Sequence, residues 1–68
     1  MNSTNVLSPG KAQYKIVHVE RNLAFNGQMF GRHPILTAKP ENAKLYPSIS
    51  TAEEVRKTFG DKYTVTGA

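Results

Sequence analysis

The chain contains no cysteine and only two histidines. Without cysteine, neither a disulfide nor a thiolate metal site can stabilise the fold. Two histidines are too few for a closed structural zinc site. We therefore expect a protein without metal or cofactor, stabilised by packing alone. The missing thiols also fit a reducing, cytoplasmic location.

Long apolar runs are absent as well. Residues 1–5 are polar and lack the apolar segment of a signal peptide. No run of apolar residues approaches the roughly 20 that a membrane-spanning helix requires. We therefore expect no membrane partner.

The sequence also lacks catalytic motifs, with no Gly-x-Ser-x-Gly, no cysteine nucleophile and no paired acidic motif. His18 and Glu20 are two residues apart on a predicted strand, a spacing that suits an acid–base pair or two metal ligands. A small enzyme or metal protein built on these residues and His33 ranks third among our hypotheses. Residues 27–33 form a glycine-bracketed, basic-ended loop, but they lack the Gly-Lys-Ser/Thr ending of a phosphate-binding loop. We expect a protein that is not an enzyme.

The order of the predicted elements indicates a small α+β domain over residues 11–68, preceded by a flexible tail over residues 1–10. β-branched residues predict a first strand over residues 12–21. A short strand is predicted over residues 35–38, and one helical turn over residues 40–45. We expect three or four mostly antiparallel strands.

The C-terminal third predicts one helix and a final strand. Ser50 is the predicted N-cap, Glu53 completes a capping box, and Gly60 ends the helix. The predicted helix covers about residues 51–59, and the final strand about residues 63–66. An apolar stripe at helical spacing would pack on the sheet, and it consists of Ala52, Val55 and Phe59.

Two features of the predicted strands leave alternatives open. Asn26-Gly27 favours a hairpin turn between residues 23–25 and 28–30. Alternatively, residues 23–30 form one strand that pairs with the first through a turn at Arg21-Asn22. The first strand is partly apolar on both faces, so its second face is predicted to be covered by a loop, a second copy or a partner.

The net charge is +4, and its excess precedes the helix. Residues 1–47 carry six lysines and arginines against two acidic residues, whereas residues 48–68 carry three of each. A positive sheet face would favour an anionic partner. The residues predicted to bind a partner are Lys15, Arg21, Phe30, Arg32, His33 and Lys39.

The size, the missing cysteine, the helix start Ser50-Thr51-Ala52-Glu53-Glu54 and the strand at residues 63–65 resemble very small phage-encoded proteins that bind and inhibit host machinery. The resemblance covers under a third of the chain and assigns no residue a role. It implies an inhibitor or adaptor.

The leading hypothesis is a non-enzymatic protein-binding module that docks its basic sheet face on an acidic surface of a larger host protein or complex. The alternative is a basic nucleic-acid-binding protein that uses the same face, with bases stacked on Tyr14, Phe25 and Phe30. A homodimer is a further candidate assembly, since the small core leaves the domain marginally stable.

Overall fold

A computed structural model describes residues 13–68 of the protein. The predicted tail, residues 1–10, lies outside this part of the chain. The described residues form one 3₁₀ helix at Pro40–Asn42, the helix α1 at Ile49–Phe59, and the strands β1 at Tyr14–His18, β2 at Leu23–Phe30, β3 at His33–Thr37 and β4 at Tyr63–Gly67.

The strands form one antiparallel sheet in the order β3-β2-β1-β4. β1 lies inside this sheet, where Val17 pairs with Ala24 of β2 and with Thr64 of β4. The predicted α+β class is confirmed, including the final strand after the helix.

The core lies between α1 and one face of the sheet. Ile16 and Ala52 are fully buried, and Phe25 is 4% exposed. The ring of Phe59 meets the ring of Phe25 edge-on at 4.9 Å and that of Tyr63 at 5.3 Å between centroids. The predicted helix stripe therefore packs as expected, with Val55 beside Phe59 against the same core.

The helix begins two residues earlier than predicted, and Ser50 is not its N-cap. Ser48 has an extended backbone, and its hydroxyl accepts a hydrogen bond from the Thr51 N–H at 3.2 Å. Glu53 does not complete a capping box; its carboxylate pairs with Arg56, one turn later. Gly60 ends the helix as predicted, at a φ of 109°.

Of the two hairpin alternatives, the one with β2 as a single strand is correct. β1 and β2 are joined by residues 19–22, where Asn22 adopts a φ of 56°. The second turn lies at Gly31 and Arg32, between the paired residues Phe30 and His33. Asn26-Gly27 is instead an irregularity inside β2, where the register with β3 shifts.

The segment between β3 and α1 pairs with the part of β1 that β2 leaves unpaired. Tyr46 exchanges two backbone hydrogen bonds with Tyr14, at 2.8 and 3.0 Å, and the Lys44 N–H donates to the Phe25 carbonyl at 2.8 Å. Tyr46 is buried, whereas Leu45 and Ile49 remain 40% and 55% exposed. The helical turn predicted over residues 40–45 is only the short 3₁₀ helix.

Candidate functional site

The sheet has a second face, which α1 does not cover. Register places Thr64, Val17, Ala24 and Thr37 in one row across the strands. Because side chains alternate along a strand, this row lies opposite the core residue Ile16. We call this surface the open face, and it comprises Lys15, Val17, Ala24, Thr37, Thr64 and Thr66.

Two shallow depressions on the open face share Lys15, Val17 and Asn22. One has a volume of about 80 Å³ and is bounded on its far side by Lys39 and Pro40. The other extends to Thr64 and Thr66 of β4. Ammonium, amide and hydroxyl groups line both depressions, and no described carboxylate does. Such a lining offers hydrogen-bond donors to an anionic group.

Ion pairing removes positive charge elsewhere, but not from the open face. Among residues 13–68, salt bridges join Lys62 to Glu20, at 3.1 Å, and Arg56 to Glu53. Neither Lys15 nor Lys39 takes part in one within these residues. No salt bridge among residues 13–68 therefore neutralises the charges of these two lysines.

The six predicted binding residues divide between two places. Lys15 and Lys39 border the same depression, and Arg21 precedes Asn22 in the adjoining loop. The other three, Phe30, Arg32 and His33, lie together at the tip of the β2–β3 hairpin. The structure therefore divides the predicted binding residues between one edge of the open face and the tip of the β2–β3 hairpin.

The hairpin tip belongs to an extension that we call the arm, residues 26–35. β1 pairs with β2 only at Val17 and His18, so the arm runs on beyond β1 with β3 as its partner. Alternation along β3 places His33 and Ile35 on the same side as Thr37, and Phe30 pairs with His33. The arm thus continues the open face with a different, apolar chemistry.

The threonines of the open face were not among the predicted binding residues. For two of them the sequence did indicate the face, because Thr64 and Thr66 alternate with Tyr63 and Val65. In a strand with one buried face, this alternation assigns both hydroxyls to the other face. Thr37 and Asn22 carried no comparable signal, because their position depends on the register between strands.

The aromatic residues do not form a stacking platform on the open face. Phe25 is buried in the core, and Tyr14 packs against the same core from the helix side. Of the three aromatics in the nucleic-acid hypothesis, only Phe30 is largely exposed, at 77%. Sequential base stacking needs several such side chains.

The residues of the third hypothesis are not brought together. His18 Nδ1 accepts a hydrogen bond from the Arg21 N–H at 3.2 Å, and its ring lies edge-on to Tyr63. Glu20 pairs with Lys62 instead, and His33 lies at the tip of the arm. Within residues 13–68, no three His, Asp or Glu side chains are grouped to hold a metal ion.

The longest helix in residues 13–68 is α1, and no helix there has the length and apolar character to cross a membrane. Comparison of the chain with protein-family models, with curated proteins and with solved structures found no match in any of the three.

Proposed function

We propose that this protein is a non-enzymatic binding module that docks its open face on an acidic surface of a larger protein. An inhibitor or an adaptor acts in this way, since occupying a surface requires no chemistry. The supporting observation is the lining of the open face, where Lys15 and Lys39 lie among threonines without a described carboxylate.

The composition of the open face favours a protein partner over a nucleic acid. Small side chains, such as Ala24 and Thr37, leave a shallow surface that suits the backbone and carboxylates of another protein. Single-stranded nucleic acid is bound by stacking its bases on aromatic rings, and among residues 13–68 the open face presents none.

The test is a matched pair of charge reversals, Lys15→Glu on the open face and Lys57→Glu on the outer side of α1. Both lysines belong to regular elements, and Lys57 lies opposite the open face. Affinity purification from the source organism, with mass spectrometry, identifies a partner for the wild type. Lys15→Glu should weaken binding to that purified partner by about tenfold, and Lys57→Glu by less than about twofold.

Equal effects of the two reversals would contradict the proposal, because only net charge would then matter. Titration into DNA and RNA at low and high salt provides the second discrimination. Phosphate contacts would produce an affinity that falls steeply as salt rises. Such a steep dependence, together with failure to recover a protein, would favour the nucleic-acid alternative.

A further inference from the structure

Three of the six large hydrophobic side chains exposed by the described chain lie on the arm. Phe30 is 77% exposed, Met29 is 46% exposed and Ile35 is 36% exposed. Phe30 and Ile35 lie on the side that continues the open face, and Met29, which pairs with Pro34, lies on the other. An aromatic ring flanked by apolar neighbours is the usual anchor of a protein interface.

The arm is held in a defined conformation before it meets a partner. Its turn has two residues, and Gly31 adopts the φ of 64° that such a turn requires. At its base, the Asn26 side chain accepts a hydrogen bond from the Gln28 N–H at 2.8 Å. A preorganised anchor loses little conformational entropy on binding.

The charged residues nearest to the arm in the sequence are of one sign. Residues 21–40 contain two arginines, one lysine and one histidine, and no aspartate or glutamate. Arg32 lies in the turn itself, two residues after Phe30 in the sequence. A complementary binding site would therefore combine an apolar pocket for the ring with carboxylates around its rim.

Other occupants fit these observations less well. A second copy carries the same +4 charge and would be repelled. Anionic membranes are held by clusters of about 4–8 basic residues, whereas the arm offers Arg32 alone. Single-stranded nucleic acid needs a series of stacking rings, and Phe30 is one ring.

We infer that the arm is the anchor of the interface: Phe30 inserts into an apolar cleft of the partner protein, and acidic residues on the rim of this cleft meet Arg32. The inference rests on the proposed function and assigns the two regions different roles. The open face attracts the partner through charge. The arm holds it through burial of Phe30 and Ile35, which determines how slowly the complex dissociates.

The experiment first locates the contact and then measures it. The full chain carrying Phe30→p-benzoylphenylalanine is irradiated in a lysate of the source organism, with the same change at Ile49 as the control. Ile49 is also an exposed apolar residue, at 55%, but it lies at the start of α1. The cross-linked peptide of the partner should combine apolar residues with aspartate or glutamate, and the Ile49 probe should not label it.

Affinity for the purified partner is then compared among Phe30→Ser, Ile49→Ser and Lys15→Glu, each with an unchanged melting temperature. Phe30→Ser should weaken binding by about tenfold or more, chiefly through faster dissociation, and Ile49→Ser by less than about twofold. If Lys15→Glu weakens binding but Phe30→Ser does not, the anchor is wrong and the proposed function stands. If neither change matters, both proposals fail.

The chain lacks tryptophan, so Phe30→Trp provides a single fluorescent reporter at the tip. Vesicles of phosphatidylcholine and phosphatidylglycerol in a 3:1 ratio should leave its emission unchanged. A blue shift with these vesicles would assign the tip to a membrane surface instead. A dimer in sedimentation velocity that Phe30→Ser dissolves would assign it to a second copy. Either result overturns the inference.

Discussion

At the scale of single residues, the fold depends on a few large side chains in a small core. Phe59 contacts both Phe25 and Tyr63 through edge-to-face ring contacts, so one side chain joins α1 to β2 and to β4. Ile16 belongs to the core cluster against which Phe59 packs, and it is fully buried. In a domain of this size, the loss of one such ring is a large fraction of the total stability.

Phe59→Ala should lower the free energy of unfolding by about 2–4 kcal/mol, because it removes these ring contacts and leaves a cavity. Ile49→Ala, on the same helix but 55% exposed, should change it by less than about 0.5 kcal/mol. Urea unfolding followed by circular dichroism measures both. Equal stability of Phe59→Ala and wild type would mean that α1 does not pack through this residue.

Tyr46 should make stability depend on alkaline pH. Burial raises the pKa of the Tyr46 hydroxyl above its ordinary value. The folded state therefore holds this proton more tightly than the unfolded state, whose tyrosines ionise near pH 10. The contribution is complete below that pH and is lost as pH rises through the folded-state pKa.

Tyr46→Phe should consequently be less sensitive to pH above about pH 10 than the wild type. Free energies of unfolding at pH 8, 9, 10 and 11 would measure the difference. The advantage of wild type over the variant should shrink, or reverse, as pH increases. A difference that stays constant over this range would show that the phenol proton is not linked to folding.

At the scale of the elements, the start of α1 depends on one hydroxyl. The Ser48 side chain accepts the Thr51 N–H, and it also lies 2.9 Å from the Thr51 hydroxyl. Ser48→Ala should destabilise the protein by about 1 kcal/mol, the usual value of an N-cap. Ser50→Ala, inside the first turn and exposed, should change stability far less. Thermal melts of the two variants, which differ by the same atom, test the assignment; equal losses would contradict it.

The irregularity in β2 depends on Gly27. Its φ of 95° strains any residue with a side chain, and an added Cβ would lie 3.4 Å from the Lys44 side chain. Gly27→Ala should therefore destabilise the protein by about 1–2 kcal/mol. Gly67, in β4, is the matched control because its φ is not positive and it has open space around it.

Gly67→Ala should leave stability unchanged or raise it by a few tenths of a kcal/mol, because alanine reduces the entropy of the unfolded chain. Urea unfolding of both glycine variants would measure the contrast. If both changes have the same effect, backbone strain at Gly27 is not what sets the shape of the arm.

Local signals in the sequence predicted which elements form, whereas long-range contacts decide where they begin and pair. Ser48 and Ser50 are both of a residue type that favours the N-cap position, so the sequence does not distinguish them. In the structure Ile49 is already the first residue of α1, and Ser48 is therefore the N-cap. Asn26-Gly27 tolerates positive φ equally well in a turn or in a strand irregularity. Next to it the Lys44 N–H donates to the Phe25 carbonyl, a long-range contact that no local pattern predicts. The candidate site follows the same division: alternation along β1 indicates the face on which Lys15 lies, but its position beside Lys39 depends on how the strands pair.

At the scale of the whole molecule, charge is distributed unevenly between the two sides of the sheet. The α1 side carries the Glu53–Arg56 pair, and the loops beside it carry the Glu20–Lys62 pair. The open face and arm carry cations that have no such partner among residues 13–68. Under the proposed function, this asymmetry would orient the molecule as it approaches an acidic surface.

The rate of association with the partner should therefore fall as salt rises, whereas the rate of dissociation should change little. Stopped-flow or biosensor kinetics at 50 and 300 mM salt would separate the two. Glu20→Gln should leave the stability nearly unchanged, since both partners of its ion pair are 63% exposed. An association rate that is independent of salt would contradict electrostatic attraction by the open face.

The position of β1 within the sheet has a consequence for biosynthesis. Tyr14 of β1 pairs with Gly67 of β4. One edge of β1, the first described strand, therefore stays unpaired until β4, the last strand, has been synthesised. A nascent chain emerging from the ribosome can form the β1–β2 and β2–β3 hairpins early. The sheet face on which α1 packs, however, is incomplete until residues 63–67 have been synthesised. The protein should therefore become protease-resistant only after those residues are translated, in one late step.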